Sequence, residues 1–186
     1  MTRITRRQFH GSVLAAAAAA TLPTFARSQT APILHAREGS ARLAPAEYPE
    51  TRIWGYDGTV PGPVLRARQG ERMTQSFRND LPQASSVHWH GIRIENGMDG
   101  VAGLTQPAVA PGEEFLYDFV LPDAGTYWYH PHNRTYEQMA RGLYGALIVE
   151  EAEVGPDVDL DEVLLLDDGR LTDDAQIAEG FGNMHD

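Results

Sequence analysis

The sequence predicts an all-β fold, a sandwich or barrel of seven or eight short strands, on three observations. Its composition is that of a globular chain, with 42% hydrophobic, 9% aromatic and 22% charged residues over 186 positions. Eighteen Gly and twelve Pro favour turns over long helices. From Ala31 onward, short β-rich runs alternate with turn chemistry, and no long 3.6-period segment interrupts them.

A leader comes first. Thr5-Arg6-Arg7-Gln8-Phe9 precedes an Ala-dominated apolar run from Gly11 to Leu22, and a small-residue cleavage site follows after Ala26. That is the order of a secretory signal, and the apolar run is too short for a membrane span of ~20 residues. The twin Arg followed by Gln-Phe resembles a twin-arginine export signal. Residues 1–26 are therefore set apart from the fold, and the mature chain is expected in a bacterial periplasm.

Strands are expected at Ile33–Arg42, Arg52–Tyr56, Val64–Arg68, Glu71–Asn79, Ser86–Ile94, Glu114–Leu121, Gly125–His130 and Gly145–Glu151. Turn residues mark the joints, among them Asp57-Gly58, Val60-Pro61-Gly62-Pro63, Asn79-Asp80, Asp99-Gly100, Ala110-Pro111-Gly112 and Pro122-Asp123-Ala124-Gly125. Tyr136 to Arg141 reads as one helical turn. These elements place one domain at 27–150. The acidic stretch from Glu150 to Asp161 contains Gly155-Pro156, as a linker would. Val163–Leu166 then reads as a new strand, so 151–186 is expected to be a linker and the truncated start of a second domain, the front of a longer polypeptide.

Charge and cysteine content exclude several functions. The formal net charge of −11 repels phosphate backbones, which argues against nucleic acid, and beyond export no membrane association is expected. The chain has no Cys, which rules out disulfides, thiol catalysis and thiolate metal sites within it. A metal here must be held by His or carboxylates.

The chemistry is concentrated in Val87-His88-Trp89-His90-Gly91 and Trp128-Tyr129-His130-Pro131-His132. Residues i and i+2 of a strand share a face, so each pair presents two imidazoles side by side. On neighbouring strands the two pairs would gather four imidazoles, a donor set suited to Cu, Zn, Fe or Ni rather than Ca or Mg. A lone H-x-H is more often an ordinary surface or core feature. Here four of the seven His fall into two identical spacings, which chance explains poorly.

The same residues carry a family resemblance. His88-Trp89-His90-Gly91, Asn96-Gly97-Met98-Asp99-Gly100, Ala110-Pro111-Gly112, the run Gly125 to His132, and Gly142-Leu143-Tyr144-Gly145-Ala146-Leu147-Ile148-Val149-Glu150 resemble the first cupredoxin domain of multicopper oxidases, the laccase and copper-efflux oxidase family. Asp57 to Pro63 and Arg68-Gln69-Gly70-Glu71 fit the same pattern. The resemblance implies a cupredoxin-like Greek-key sandwich within a chain of three such domains. It further implies copper as cofactor, with a type 1 ion in the third domain, absent from this sequence, and a trinuclear cluster between the first and third domains. Dioxygen and a small reducing substrate, a phenol or Cu(I), would be the reactants. By motif position His88 would ligate the type 2 copper, and His90, His130 and His132 the type 3 pair. This chain would then hold half of the cluster ligands, pack on the third domain and be inactive alone.

Asp99 stands where the family has an acidic residue that helps deliver protons to reduced oxygen, the catalytic role assigned here, although Asp99-Gly100 is also a simple turn. Glu137 reads as an exposed loop residue. Trp89 and Trp128 flank the ligands and are assigned to the opposite strand face, as packing residues. Two other classes compete. His88-x-His90 followed by Glu95 matches a cupin core, although a cupin would supply a single distant His rather than the pair His130 and His132. A non-enzymatic cupredoxin module is the other, and the retention of all four His speaks against it.

Overall fold

The computed structural model describes residues 31–153, 155 and 158–181, and the expected export signal lies outside them. Eight strands form two four-stranded mixed sheets. The first sheet has the order β2 (Thr51–Tyr56), β1 (Ile33–Ala41), β4 (Arg72–Asn79) and β6 (Glu114–Val120). In it, β1 runs parallel to β4 and antiparallel to β2. The second has the order β3 (Leu65–Arg68), β8 (Gly145–Glu150), β7 (Gly125–His130) and β5 (His88–His90), with β3 parallel to β8.

Period-2 patterning decides which face of each sheet is buried. Leu34 and Ala36 of β1, Phe77 of β4, and Tyr117 and Phe119 of β6 turn inward from the first sheet. Trp89, Tyr129, Leu147 and Val149 meet them from the second, so both inner faces share one core. The centre is aromatic. Trp89 lies edge-on to Tyr117 with ring centroids 5.4 Å apart and 5.3 Å from Phe119, while Tyr56 meets Tyr129 at 5.0 Å. Edge-to-face and tilted pairs at such distances add to the burial of ring area. This is the cupredoxin-like sandwich that the motifs implied.

Two expectations need correction. The strand expected at Ser86–Ile94 contracts to His88–His90. Before it, the Val87 amide donates to the Tyr117 hydroxyl rather than to a neighbouring strand, and after it Gly91, at φ +86°, turns the chain out of the ladder. The strand expected at Val163–Leu166 does not form. No strand pairs with that segment, and Leu164 and Leu166 are 82% and 96% exposed. The following residues instead fold back onto the sandwich, where the Thr51 hydroxyl donates to the Ala175 carbonyl at 2.7 Å and Ala175 is buried.

The expected helical turn is present as α1 (Thr135–Ala140). No helix among the described residues is long and apolar enough to cross a membrane.

Candidate metal centre

Strands β5 and β7 pair antiparallel with His88 opposite His130, Trp89 opposite Tyr129 and His90 opposite Trp128. Alternation sends Trp89 and Tyr129 into the core and the other four side chains to the outer face. The His88 ring centroid lies 5.5 Å from His90, 5.3 Å from His130 and 5.3 Å from His132, and His90 lies 5.4 Å from His130. All four sequence-predicted imidazoles therefore gather on one patch. Ring nitrogens of His88, His90 and His130 come within 4.8 Å of one another. His130 is buried, His88 half-buried, and His90 and His132 exposed.

Two of the rings are held by main-chain carbonyls. The His88 Nδ1–H donates to the Asp99 carbonyl at 2.7 Å, and the His130 Nδ1–H to the Pro131 carbonyl at 2.9 Å. A carbonyl only accepts, so Nδ1 carries the proton in both rings and Nε2 is left as the acceptor nitrogen. His130 Nε2 in turn accepts from the His90 Nδ1–H at 3.2 Å. Burial pushes His130 down to about 4; the neighbouring His88, His90 and His132 act in the same direction, and the Pro131 carbonyl opposes them. Burial, then His88 and His132, also lower His90. Both rings are thus neutral at neutral pH, with lone pairs available to a metal.

Asp99 reaches the cluster through close backbone packing. Gly100 sits at φ +78°, and a Cβ there would lie 1.8 Å from the Val87 carbonyl oxygen. Only glycine lets this loop lie against the start of β5, which delivers the Asp99 carbonyl to His88. The Asp99 carboxylate is farther away, with Oδ1 3.4 Å from His88 Nδ1.

Sequence reasoning missed the polar supports behind the patch. Asn79, fully buried, donates through Nδ2 to the Gln83 and Val109 carbonyls. Gln138 of α1, also fully buried, accepts from the Ser85 hydroxyl at 2.7 Å and donates to the Ala84 carbonyl at 2.9 Å. The His132 amide donates to Ser86 Oγ, and Thr135 Oγ1 donates to the Pro131 carbonyl that also holds His130. Only the turn residue Asn79 carried any sequence signal for such a role.

Two assignments change. Trp128 is on the same face as His130, as a separation of two residues requires, and stacks on both His130 and His90. Glu137 is buried rather than exposed, and is paired with Arg134 and Arg141 at 2.8 and 3.0 Å. Glu95, the carboxylate a cupin site would need, is exposed at the entry to the 3-10 turn Asn96–Met98 and lies outside the nitrogen cluster.

Residues 38–154 match the family described as multicopper oxidase. Copper resistance protein A of Pseudomonas syringae pv. tomato is 42% identical over 113 residues, covering 60% of this chain and 18% of that protein. Multicopper oxidase MmcO of Mycobacterium tuberculosis is 42% identical over 116 residues, covering 61% of this chain and 22% of that protein. The crystal structure of Lac15 from a marine microbial metagenome superposes with a TM-score of 0.75 at 51% identity, covering 80% of this chain and 39% of that one. The chain thus spans about a fifth of the length of these curated relatives. On the match over 38–154 and the likeness to Lac15, the chain belongs to the multicopper oxidase family.

Proposed function

We propose that His88, His90, His130 and His132 hold copper, and that this chain is the part of a multicopper oxidase supplying half the ligands of a trinuclear cluster. The observation that carries the reading is the convergence of the His88, His90 and His130 ring nitrogens on one sheet face, with the His132 ring beside them. That donor set fits copper, for which imidazole is a suitable borderline ligand. The 3.2 Å between His90 Nδ1 and His130 Nε2 also fits, since two nitrogens so spaced can meet one ion at the ~2.0–2.1 Å usual for metal–imidazole bonds. Family motif positions assign His88 to the type 2 ion and His90, His130 and His132 to the type 3 pair.

Bound copper supplies one-electron redox chemistry, which couples oxidation of a small reducing substrate, a phenol or Cu(I), to the four-electron reduction of dioxygen to water. The chain's own residues orient and protonate. The Asp99 and Pro131 carbonyls fix which nitrogen of His88 and His130 faces outward. The Asp99 carboxylate, beside His88, is placed to relay protons to a reaction that consumes four. The outward position of the patch supports its packing on a third cupredoxin domain, and Arg6-Arg7-Gln8-Phe9 supports twin-arginine export to the periplasm.

Titration of the 186-residue chain with Cu(II), followed by calorimetry and electron paramagnetic resonance, tests the ligand set. The wild-type chain is expected to bind Cu(II) through several nitrogens, and His88→Ala and His130→Ala to lose that signal. Binding unchanged in both variants would overturn the assignment.

A further inference from the structure

Four side chains of the β5–β7 pair share the outer face, and only three of them are imidazoles. His88 and His90 lie along β5, and His130 and Trp128 stand opposite them on β7. The Trp128 ring stacks on His130 at 4.2 Å with 27° between planes, and on His90 at 4.8 Å with 29°. One indole thus stacks on both rings with its plane within 30° of each, a consequence of facing one across the ladder and preceding the other by two residues.

Carbonyls hold the Nδ1–H groups of His88 and His130. The His90 ring has no such carbonyl among its described hydrogen bonds, and its Nδ1 faces only His130 Nε2. His90 is also exposed, at the last position of an edge strand. That one hydrogen bond, to another side chain, does not by itself set the tilt of its ring plane. Stacking on a half-buried indole anchored in the central strand β7 restricts that tilt and keeps the two nitrogens face to face.

We propose that Trp128 is a positioning residue that sets the ring plane of His90 for metal binding and backs that of His130, the task that main-chain carbonyls perform at the Nδ1–H groups of His88 and His130. The inference rests on the copper reading of the His patch. It adds a side chain that offers no ligand atom and acts only through the two rings it covers.

The test compares the wild-type 186-residue chain with Trp128→Leu and Trp128→Phe, using Cu(II) as the probe. Leu keeps apolar bulk without a planar face, whereas Phe keeps a smaller planar face. Trp128→Leu is expected to bind Cu(II) about tenfold more weakly, in the range usual for residues that orient metal ligands, with a changed nitrogen hyperfine pattern. Trp128→Phe should lie between Trp128→Leu and wild type, with affinity reduced a few-fold. Thermal unfolding without metal should place both variants close to wild type, a result that separates positioning from general packing. Equal affinity and an equal hyperfine pattern in Trp128→Leu and wild type would overturn the proposal. Should the Leu variant fail to fold, Trp128→Phe decides: a fold intact but affinity reduced a few-fold supports positioning, and affinity unchanged overturns it. Absence of Cu(II) binding by the wild-type chain would instead sink the copper reading itself.

Discussion

The two faces of the β5–β7 pair are built from adjacent residues and do opposite work. Inward, Trp89 and Tyr129 are fully buried in the aromatic centre of the sandwich. Outward, His88, His90, Trp128 and His130 form a more open patch in which only His130 is buried. Stability lives on one face and candidate chemistry on the other, and because the residues alternate, the core fixes the spacing of the imidazoles. The patch is preorganised by the reverse side of its own strands.

The largest expected effects separate the faces. Trp89→Ala removes the indole that touches Tyr117, Phe119 and Tyr129, and should cost about 3–5 kcal/mol of folding stability, with copper binding lost as a consequence. His130→Ala should abolish the copper signal while changing stability much less, since removing a buried imidazole also removes a group whose charging burial opposes. Denaturant unfolding paired with copper titration makes the comparison. A His130→Ala protein as unstable as Trp89→Ala would show that the faces are not independent.

Gly100→Ala probes the link between backbone and patch. The dihedral strain of a non-glycine residue at φ +78° costs roughly 1–3 kcal/mol, and the clash with the Val87 carbonyl forces the loop outward besides. The Asp99 carbonyl should then leave His88 Nδ1, and copper affinity should fall about 10–100-fold. Histidine NMR of the metal-free chain would follow the His88 Nδ1–H directly. A retained His88 hydrogen bond in the variant would mean that the loop has another way to reach the ring.

How much of this was legible in the residues depends on range. The sandwich was legible because inward and outward positions alternate locally and glycine or proline punctuates the joints. The four imidazoles were legible because a spacing of two fixes their face whatever the partner strand. Applying that same spacing to Trp128 places it with His130, which the assignment to the opposite face overlooked. Burial of Glu137 was not legible, because it requires Gln83, 54 residues away, as well as Arg134 and Arg141 on either side. Nor was the docked tail, because the Thr51–Ala175 contact spans 124 residues and no periodicity encodes it. Val163–Leu166 had the composition of a strand, but a strand also needs a neighbour.

Asp99→Asn carries the smallest expected effect on binding and the sharpest distinction. The close contact with His88 is made by the main-chain carbonyl at 2.7 Å, which the substitution leaves in place, whereas the carboxylate oxygen is 3.4 Å from the same nitrogen. Copper affinity of the chain should therefore stay within about twofold of wild type, well inside the 10–100-fold expected when a ligand-orienting contact is lost. Asparagine cannot exchange a proton with reduced oxygen, so an oxidase built on this chain should keep its copper but reoxidise more slowly in dioxygen, increasingly as pH rises and bulk protons become scarce. On the proposed reading, oxidation of the reducing substrate takes place at a different copper and should be unaffected. Stopped-flow reduction and reoxidation, with copper quantified, reads these quantities separately. Lost copper would make the carboxylate a support for His88, and an unchanged reoxidation rate at full copper loading would leave Asp99 with the turn and its carbonyl alone.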